Sequence, residues 1–383
     1  MIYLDNAATT FPKPNLVIEE VRRCMLTYAG NPGRGAHMLS LMAAERVYEC
    51  RELLARMFGA EDVDRVFFTP NTTYGINSVI KGILKRGDHV IISDMEHNAV
   101  FRPIYKLAER GEIEYDVFDT LTCRYGQSPD SICQSIIKLV RPNTKMVFCV
   151  HGSNICSEIL PIFEIGRLCK QLGLFFAVDG AQSAGHVPID IGKMNIDALC
   201  LPGHKGLYGP QGSGAVILGK ETELDTLLEG GNGIDSLSGE MSMQSPERYE
   251  AGTVAVPAIA GLYAALKWLD GYGIERIDAE ERRLGQRLTD MLGGIRKVSV
   301  YAPEYEGGTV LFNVDGVPSE QCASYLNSKG FCTRGGYHCA ALAHRTLGTP
   351  AGGAVRASVG VFNTEADISA LYRAIREASF EKI

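Results

Sequence analysis

Up to about residue 260, short apolar runs alternate with longer stretches in which apolar residues recur at helical spacing. The runs Arg65-Val-Phe-Phe-Thr, His89-Val-Ile-Ile-Ser, Lys145-Met-Val-Phe-Cys-Val, Leu174-Phe-Phe-Ala-Val, Asp197-Ala-Leu-Cys-Leu and Gly214-Ala-Val-Ile-Leu predict strands. Between them the spacing predicts helices over 73–85, 98–110, 131–140 and 162–171. Strands apolar on both faces and separated by helices predict a mostly parallel α/β sheet covered on both sides. Ligands of such sheets bind beyond the carboxyl ends of the strands.

From Val256 the pattern changes. A helical stretch over 258–292 is broken at Gly271-Tyr-Gly. A strand at Gly308-Thr-Val-Leu-Phe-Asn-Val, a helix over 319–329, a glycine-rich loop, a strand at Val355-Arg-Ala-Ser-Val-Gly-Val and a helix from Thr364 follow. This predicts a smaller α+β domain, and 383 residues suffice for two domains.

Composition is that of a globular protein, 45% hydrophobic and 22% charged. A net charge of −7 without a Lys/Arg-rich stripe argues against a nucleic-acid partner. No apolar run approaches the ~18 residues of a membrane span. Met1-Ile-Tyr-Leu-Asp-Asn lacks the regions of a signal peptide, so a soluble cytoplasmic protein is expected. The 11 cysteines include no Cys-x-x-Cys pair, so free thiols and no metal site are expected.

Two sites carry chemistry. Ala198-Leu-Cys-Leu-Pro-Gly-His-Lys ends an apolar run in a glycine-rich turn and places the amine of Lys205 at a strand end. A partly desolvated amine is a Schiff-base nucleophile. Upstream, Ala177-Val-Asp-Gly-Ala-Gln ends a second apolar run in the carboxylate of Asp179. An amine for the aldehyde and a carboxylate for the ring nitrogen are what pyridoxal phosphate (PLP) needs from a protein.

Further motifs stand in order around these two: Tyr3-Leu-Asp-Asn-Ala-Ala-Thr-Thr, Phe67-Phe-Thr-Pro-Asn-Thr-Thr-Tyr-Gly, Asp94-Met-Glu-His-Asn-Ala, Tyr249-Glu-Ala-Gly-Thr, Thr333-Arg-Gly-Gly-Tyr-His-Cys-Ala and Val355-Arg-Ala-Ser. Together they resemble the fold-type I PLP enzymes of the class V aminotransferase family, and within it the cysteine desulfurase and selenocysteine lyase group. The resemblance runs nearly the whole length. It implies a large PLP-binding domain over 16–255 with a mostly parallel mixed sheet, and a small α+β domain made of 1–15 and 256–383.

The resemblance also implies roles. Thr72, Thr73 and His204 hold the cofactor phosphate; taken alone, the two threonines would read first as helix caps. His97 stacks on the ring and is a candidate proton carrier. Asn154 and Gln182 lie near the ring's phenolic oxygen, and Asn154 also faces the substrate carboxylate. Arg356 binds that carboxylate with its planar fork. Thr253 reaches the phosphate of a neighbouring subunit, which implies a homodimer with shared sites. Gly230-Gly-Asn-Gly belongs to that interface or is a plain flexible loop. Cys339 accepts sulfur as a persulfide, with loop exposure and the neighbours Arg334 and His338 expected to favour a reactive thiol.

The implied activity is conversion of L-cysteine to L-alanine, with sulfur passed to a protein acceptor. The alternatives are a selenocysteine lyase, a non-catalytic sulfur-pathway scaffold, and a simple aminotransferase, in which Cys339 has no role. Two departures stand out: Pro202 where many relatives carry a phosphate-binding hydroxyl, and Tyr337 where some carry histidine.

Overall fold

The computed structural model describes residues 1–33, 35–120 and 129–377. Seven strands form the central sheet in the order Val66–Thr69, Gly214–Leu218, Ala198–Pro202, Phe175–Asp179, Thr144–Val150, His89–Ser93 and Glu114–Phe118. Gly214–Leu218 runs antiparallel to both neighbours, and the remaining pairs are parallel. The six expected strands are present. The seventh, Glu114–Phe118, was not expected: it lies at the edge, and its mixed sequence Glu-Tyr-Asp-Val-Phe is only partly covered.

Alternation along the strands divides the core. Val90, Ile92, Met146, Phe148 and Ala177 face one layer of helices, while Ile91, Val147, Cys149, Phe176 and Val178 face the other. The expected helices are observed as Thr72–Ile83, Asn98–Glu109, Asp130–Ile137 and Ile162–Leu172. The long C-terminal stretch divides into Val256–Tyr272 and Ile274–Gly293, with Gly273 between them at φ +93°.

A second, antiparallel sheet has the order Arg334–Gly336, Ala354–Ser358, Thr309–Val314 and Val298–Tyr301. Helices Ile274–Gly293, Ser319–Ser328 and Glu365–Glu377 bury Leu284, Leu288, Cys322, Leu326 and Leu371 against it. The chain start joins this part of the molecule: Ile2–Tyr3 pairs in parallel with Phe331–Cys332, and Asp5 bridges to Ser358.

Helix Ile274–Gly293 approaches the turn before Thr309 so closely that a Cβ at Gly285 would collide with the Gly307 carbonyl. Gly285→Ala is therefore expected to lower stability by about 1–3 kcal/mol, read by urea unfolding. A change under about 0.5 kcal/mol, typical of open surface, would contradict this packing.

Candidate active site

Three adjacent strands end at the same edge of the central sheet. Asp179 is paired with Val150 on one side and Cys200 on the other, so the segments after all three leave the sheet together. The turn after Asp179 and the turn carrying Lys205 then touch through glycine. An added Cβ at Gly185 would strike the Gly206 carbonyl, and one at Gly206 would strike the Ala184 carbonyl. Only residues without a Cβ allow this approach. Tyr208 N donates to the Lys205 carbonyl at 2.7 Å, and Gly209 N to the Gly203 carbonyl at 2.7 Å, which closes the lysine turn.

Burial and charge act oppositely on this pair. Burial pushes the Lys205 amine down to about 8; Asp179 opposes the shift, while Arg356 and Arg334 add to it. Burial raises the Asp179 carboxyl to about 6, against the pull of Lys205 and an N–H bond from Ala181 at 2.9 Å. A lysine with a lowered pKa offers its lone pair near neutral pH.

On one flank, Thr69, Gly214 and Pro202 stand in line across three strands, which sets the start of helix Thr72–Ile83 beside the His204 turn. Asn71 caps this helix, its side-chain oxygen accepting from Tyr74 N at 2.9 Å. The capping alternative for the two threonines is thus overturned. The Thr72 hydroxyl is buried without a partner, whereas Thr73 is exposed. His204 Nδ1 is likewise buried and unpartnered, and burial lowers its pKa to about 4. Pro202 is the last residue of its strand. Its missing hydroxyl leaves Thr72 and His204 in place.

His97 caps helix Asn98–Glu109 by accepting from Ala99 N at Nδ1, 3.0 Å away, so the ring proton sits on Nε2. Burial, then the charges of Lys205 and Arg356, lower its pKa to about 4.

On the other flank, Arg356 is 3% exposed and donates from Nη1 to the Asn154 carbonyl at 2.8 Å and from Nη2 to Asp5 Oδ1 at 2.8 Å. Its Nε and Asn154 Oδ1 are buried without partners. Asn154 Nδ2 donates to the His338 carbonyl at 2.8 Å, which ties this flank to the cysteine loop. His338 and Cys339 adopt left-handed φ values of +50° and +56°, rare for residues with a Cβ. The Cys339 carbonyl accepts from Asn98 N at 2.7 Å, next to His97, and the residue itself is exposed.

A hydrogen-bond relay holds this turn. His338 Nε2 donates to the Arg334 carbonyl at 3.0 Å, which leaves Nδ1 to accept from His344 Nε2 at 3.1 Å. Thr349 lies 2.9 Å from His344 Nδ1. Burial lowers His338 to about 3 and His344 to about 4. Of the two neighbours expected to favour a reactive thiol, His338 is neutral, and the Arg334 guanidinium is paired with Asp5. Tyr337 accepts from Gly352 N at 3.0 Å and sets its ring edge-on to His344, so this departure braces the loop.

Gln182 lines the same cavity as Lys205 and donates to the Ala7 carbonyl at 2.9 Å. Thr253 does not line that cavity; with Asn31, Asn232 and Ile234 it borders a separate one and is exposed. The sequence marks Tyr3 to Thr10 as a motif but assigns its residues, and Lys13 beyond it, no role. Thr9 Oγ1 and Lys13 Nζ donate to the His204 carbonyl at 3.0 and 2.7 Å, and Thr10 Oγ1 donates to the Lys205 carbonyl at 3.1 Å. A lysine between two prolines was the available signal. Among the described residues no group of three or more His, Cys, Asp or Glu is placed for a metal; Cys24, Cys50, Cys149, Cys169, Cys200, Cys322, Cys332 and Cys339 are free thiols, and Cys123 lies outside the described residues.

The buried, unpartnered atoms of Thr72, Asn154, His204 and Arg356 fit a polar ligand bearing both an anionic end and hydrogen-bonding groups. Each left unpaired costs about 1–3 kcal/mol. A PLP molecule meets these demands, with Lys205 and Asp179 between the two flanks.

Residues 2–371 match the family model of the aminotransferases of class V. A probable cysteine desulfurase of Methanothermobacter thermautotrophicus is 32% identical over 98% of this chain and 94% of the relative. A cysteine desulfurase of Haloferax volcanii is 32% identical over 99% and 89%. The apo cysteine desulfurase of Thermococcus onnurineus superposes with a TM-score of 0.88 at 31% identity, over 98% of this chain and 94% of that one.

His97 and His338 should stay neutral in the cofactor-free protein well below the ordinary histidine value of 6.5. Because the unfolded chain takes up those protons first, the stability they contribute is full above pH 6.5 and is lost as pH falls toward about 4 for His97 and about 3 for His338. Histidine side-chain NMR checks this: either ring titrating near pH 6.5 would contradict it.

Proposed function

Because the chain belongs to the aminotransferase class-V family, we propose that it works as a PLP-dependent cysteine desulfurase, converting L-cysteine to L-alanine and taking the sulfur onto Cys339 as a persulfide. The observation that carries this reading is a half-buried amine and a buried carboxylate on neighbouring turns, with an exposed cysteine on a left-handed turn tied to the same strand-end edge.

Lys205 would hold the cofactor aldehyde; Thr72, Thr73 and His204 the phosphate; Asp179 the ring nitrogen; His97 the ring face; and Gln182 and Asn154 the phenolic oxygen. When bound, PLP supplies an electron sink that acidifies the substrate Cα proton. Arg356 orients the substrate through its α-carboxylate, with Asn154 beside it. The Lys205 amine, with its lowered pKa, takes the Cα proton and returns it, and the Nε2–H of His97 is placed to carry a proton. Cys339 Sγ then attacks the substrate sulfur. The S–S bond forms as the Cβ–S bond breaks, the electron pair stays with Cβ, and Cβ takes a proton to complete alanine. Two thiol sulfurs become one persulfide while carbon is reduced, so no outside oxidant is needed. The exposure of Cys339 suits hand-over to a protein acceptor, and it favours this reading over a simple aminotransferase.

The working unit we propose is a homodimer with shared sites, in which Thr253 serves the neighbouring subunit's phosphate. Supporting this, Leu16, Ile18, Met25, Leu26, Leu39 and Leu41 are exposed along helices Asn15–Thr27 and Met38–Phe58. Residues 16–255 would form the cofactor-binding domain, and 1–15 with 256–383 the second. The site of action we propose is the cytoplasm; no helix among the described residues is long and apolar enough to cross a membrane.

Cys339→Ala is expected to keep the visible absorbance of the loaded enzyme and to lose alanine formation from cysteine by on the order of 100-fold or more. Lys205→Ala should lose both. Alanine formation surviving in Cys339→Ala would end the desulfurase assignment.

A further inference from the structure

Two hydrogen bonds tie the segment that carries Cys339 to the turn that carries His97. Asn98 N donates to the Cys339 carbonyl at 2.7 Å, and the Thr346 hydroxyl donates to Asp94 Oδ2 at 3.1 Å. Thr346 is the last residue of helix Ala341–Thr346, which starts two residues after Cys339. Both ends of the cysteine segment are therefore gripped by the turn between strand His89–Ser93 and helix Asn98–Glu109. Between the two grips, Leu342 packs on the cluster that holds Ala99 and Val100. Asp94 is itself fixed from the sheet edge. Its backbone N donates to the Phe118 carbonyl at 3.1 Å, and its Oδ1 accepts from Thr120 N and Oγ1 at 3.3 and 2.8 Å. One carboxylate oxygen thus serves the sheet edge and the other serves the cysteine segment. Burial raises the pKa of Asp94, and the donors from Thr120 and Thr346 oppose that shift. The left-handed backbone of His338 and Cys339 needs such support, because residues with a Cβ keep that shape only where their surroundings impose it.

We propose that Asp94 is a positioning residue for sulfur transfer: through Thr346 it holds the Cys339 turn in register with His97, so that the thiol meets the substrate sulfur. The inference rests on the reading of Cys339 as the sulfur acceptor. In the step it serves, the S–S bond forms, the Cβ–S bond breaks, and the electron pair stays on Cβ, which takes a proton. Removal of the Cα proton by Lys205 comes earlier and makes no demand on Cys339. Loosening the grip on Thr346 should therefore slow the later step and spare the earlier one.

Rapid mixing of the PLP-loaded enzyme with L-cysteine reads the two steps separately. The first change in visible absorbance reports substrate binding and the Lys205 step, and rapid-quench mass spectrometry reports persulfide on Cys339. Asp94→Asn and Thr346→Val should each slow persulfide formation about tenfold, within the roughly 100-fold that an ångström of misplacement can cost. The absorbance change should stay within about twofold of wild type. Thr346→Ser, which keeps the hydroxyl, should restore the persulfide rate. An unchanged persulfide rate, or an equal fall in both rates, overturns the proposal. Should Asp94→Asn fail to fold, Thr346→Val decides by the same comparison. The underlying reading fails separately: wild-type enzyme that makes alanine without persulfide on Cys339 would remove the acceptor itself.

Discussion

Asp179 is buried and Lys205 is half-buried at the wall of a cavity, and the two opposite charges act on each other through turns that the surrounding architecture packs together. Burial alone drives both toward their uncharged forms, and each pulls the other back. The balance leaves an amine that gives up its proton near neutrality and a carboxylate that a ring N–H can complete. Strand pairing at Val150, Asp179 and Cys200 sets the height of the two turns, and Gly185 against Gly206 sets their separation. Replacing either glycine would force the turns apart before any catalytic group was touched.

The remaining polarity of the cleft follows from that pair. His97, His204 and His338 are all held neutral, which keeps further positive charge from competing for an anionic ligand at the wrong place. Positive charge is instead concentrated in Arg356, whose burial would be costly without Asp5 and the Asn154 carbonyl. The cysteine turn is braced by hydrogen bonds through His338, His344 and Tyr337. What sets Cys339 apart is its exposure and its left-handed backbone.

Much of this was legible in the sequence because buried strands and their ends have strong local signatures. The runs ending at Asp179 and Pro202 announced both the strands and the groups they carry. What escaped notice had weak or non-local signals. The edge strand Glu114–Phe118 is half covered and lacks an apolar run. Asp5, Thr9, Thr10 and Lys13 act on residues some two to three hundred and fifty positions away, which no local pattern reports. The role of Thr72 was ambiguous for a different reason: threonine suits a cap and a phosphate equally, and only the position of Asn71 separates them.

The N-terminal segment also has a meaning in time. It is made long before its partners Arg334, Arg356 and Ser358, which lie more than three hundred positions further along. Until they emerge, the carbonyls at His204 and Lys205 lack the finished second sheet that anchors this strap. Domains generally fold as units during synthesis, but this cleft joins segments far apart in sequence and so matures only after Ser358 has been made. A nascent polypeptide short of that point is thereby kept from assembling the cleft.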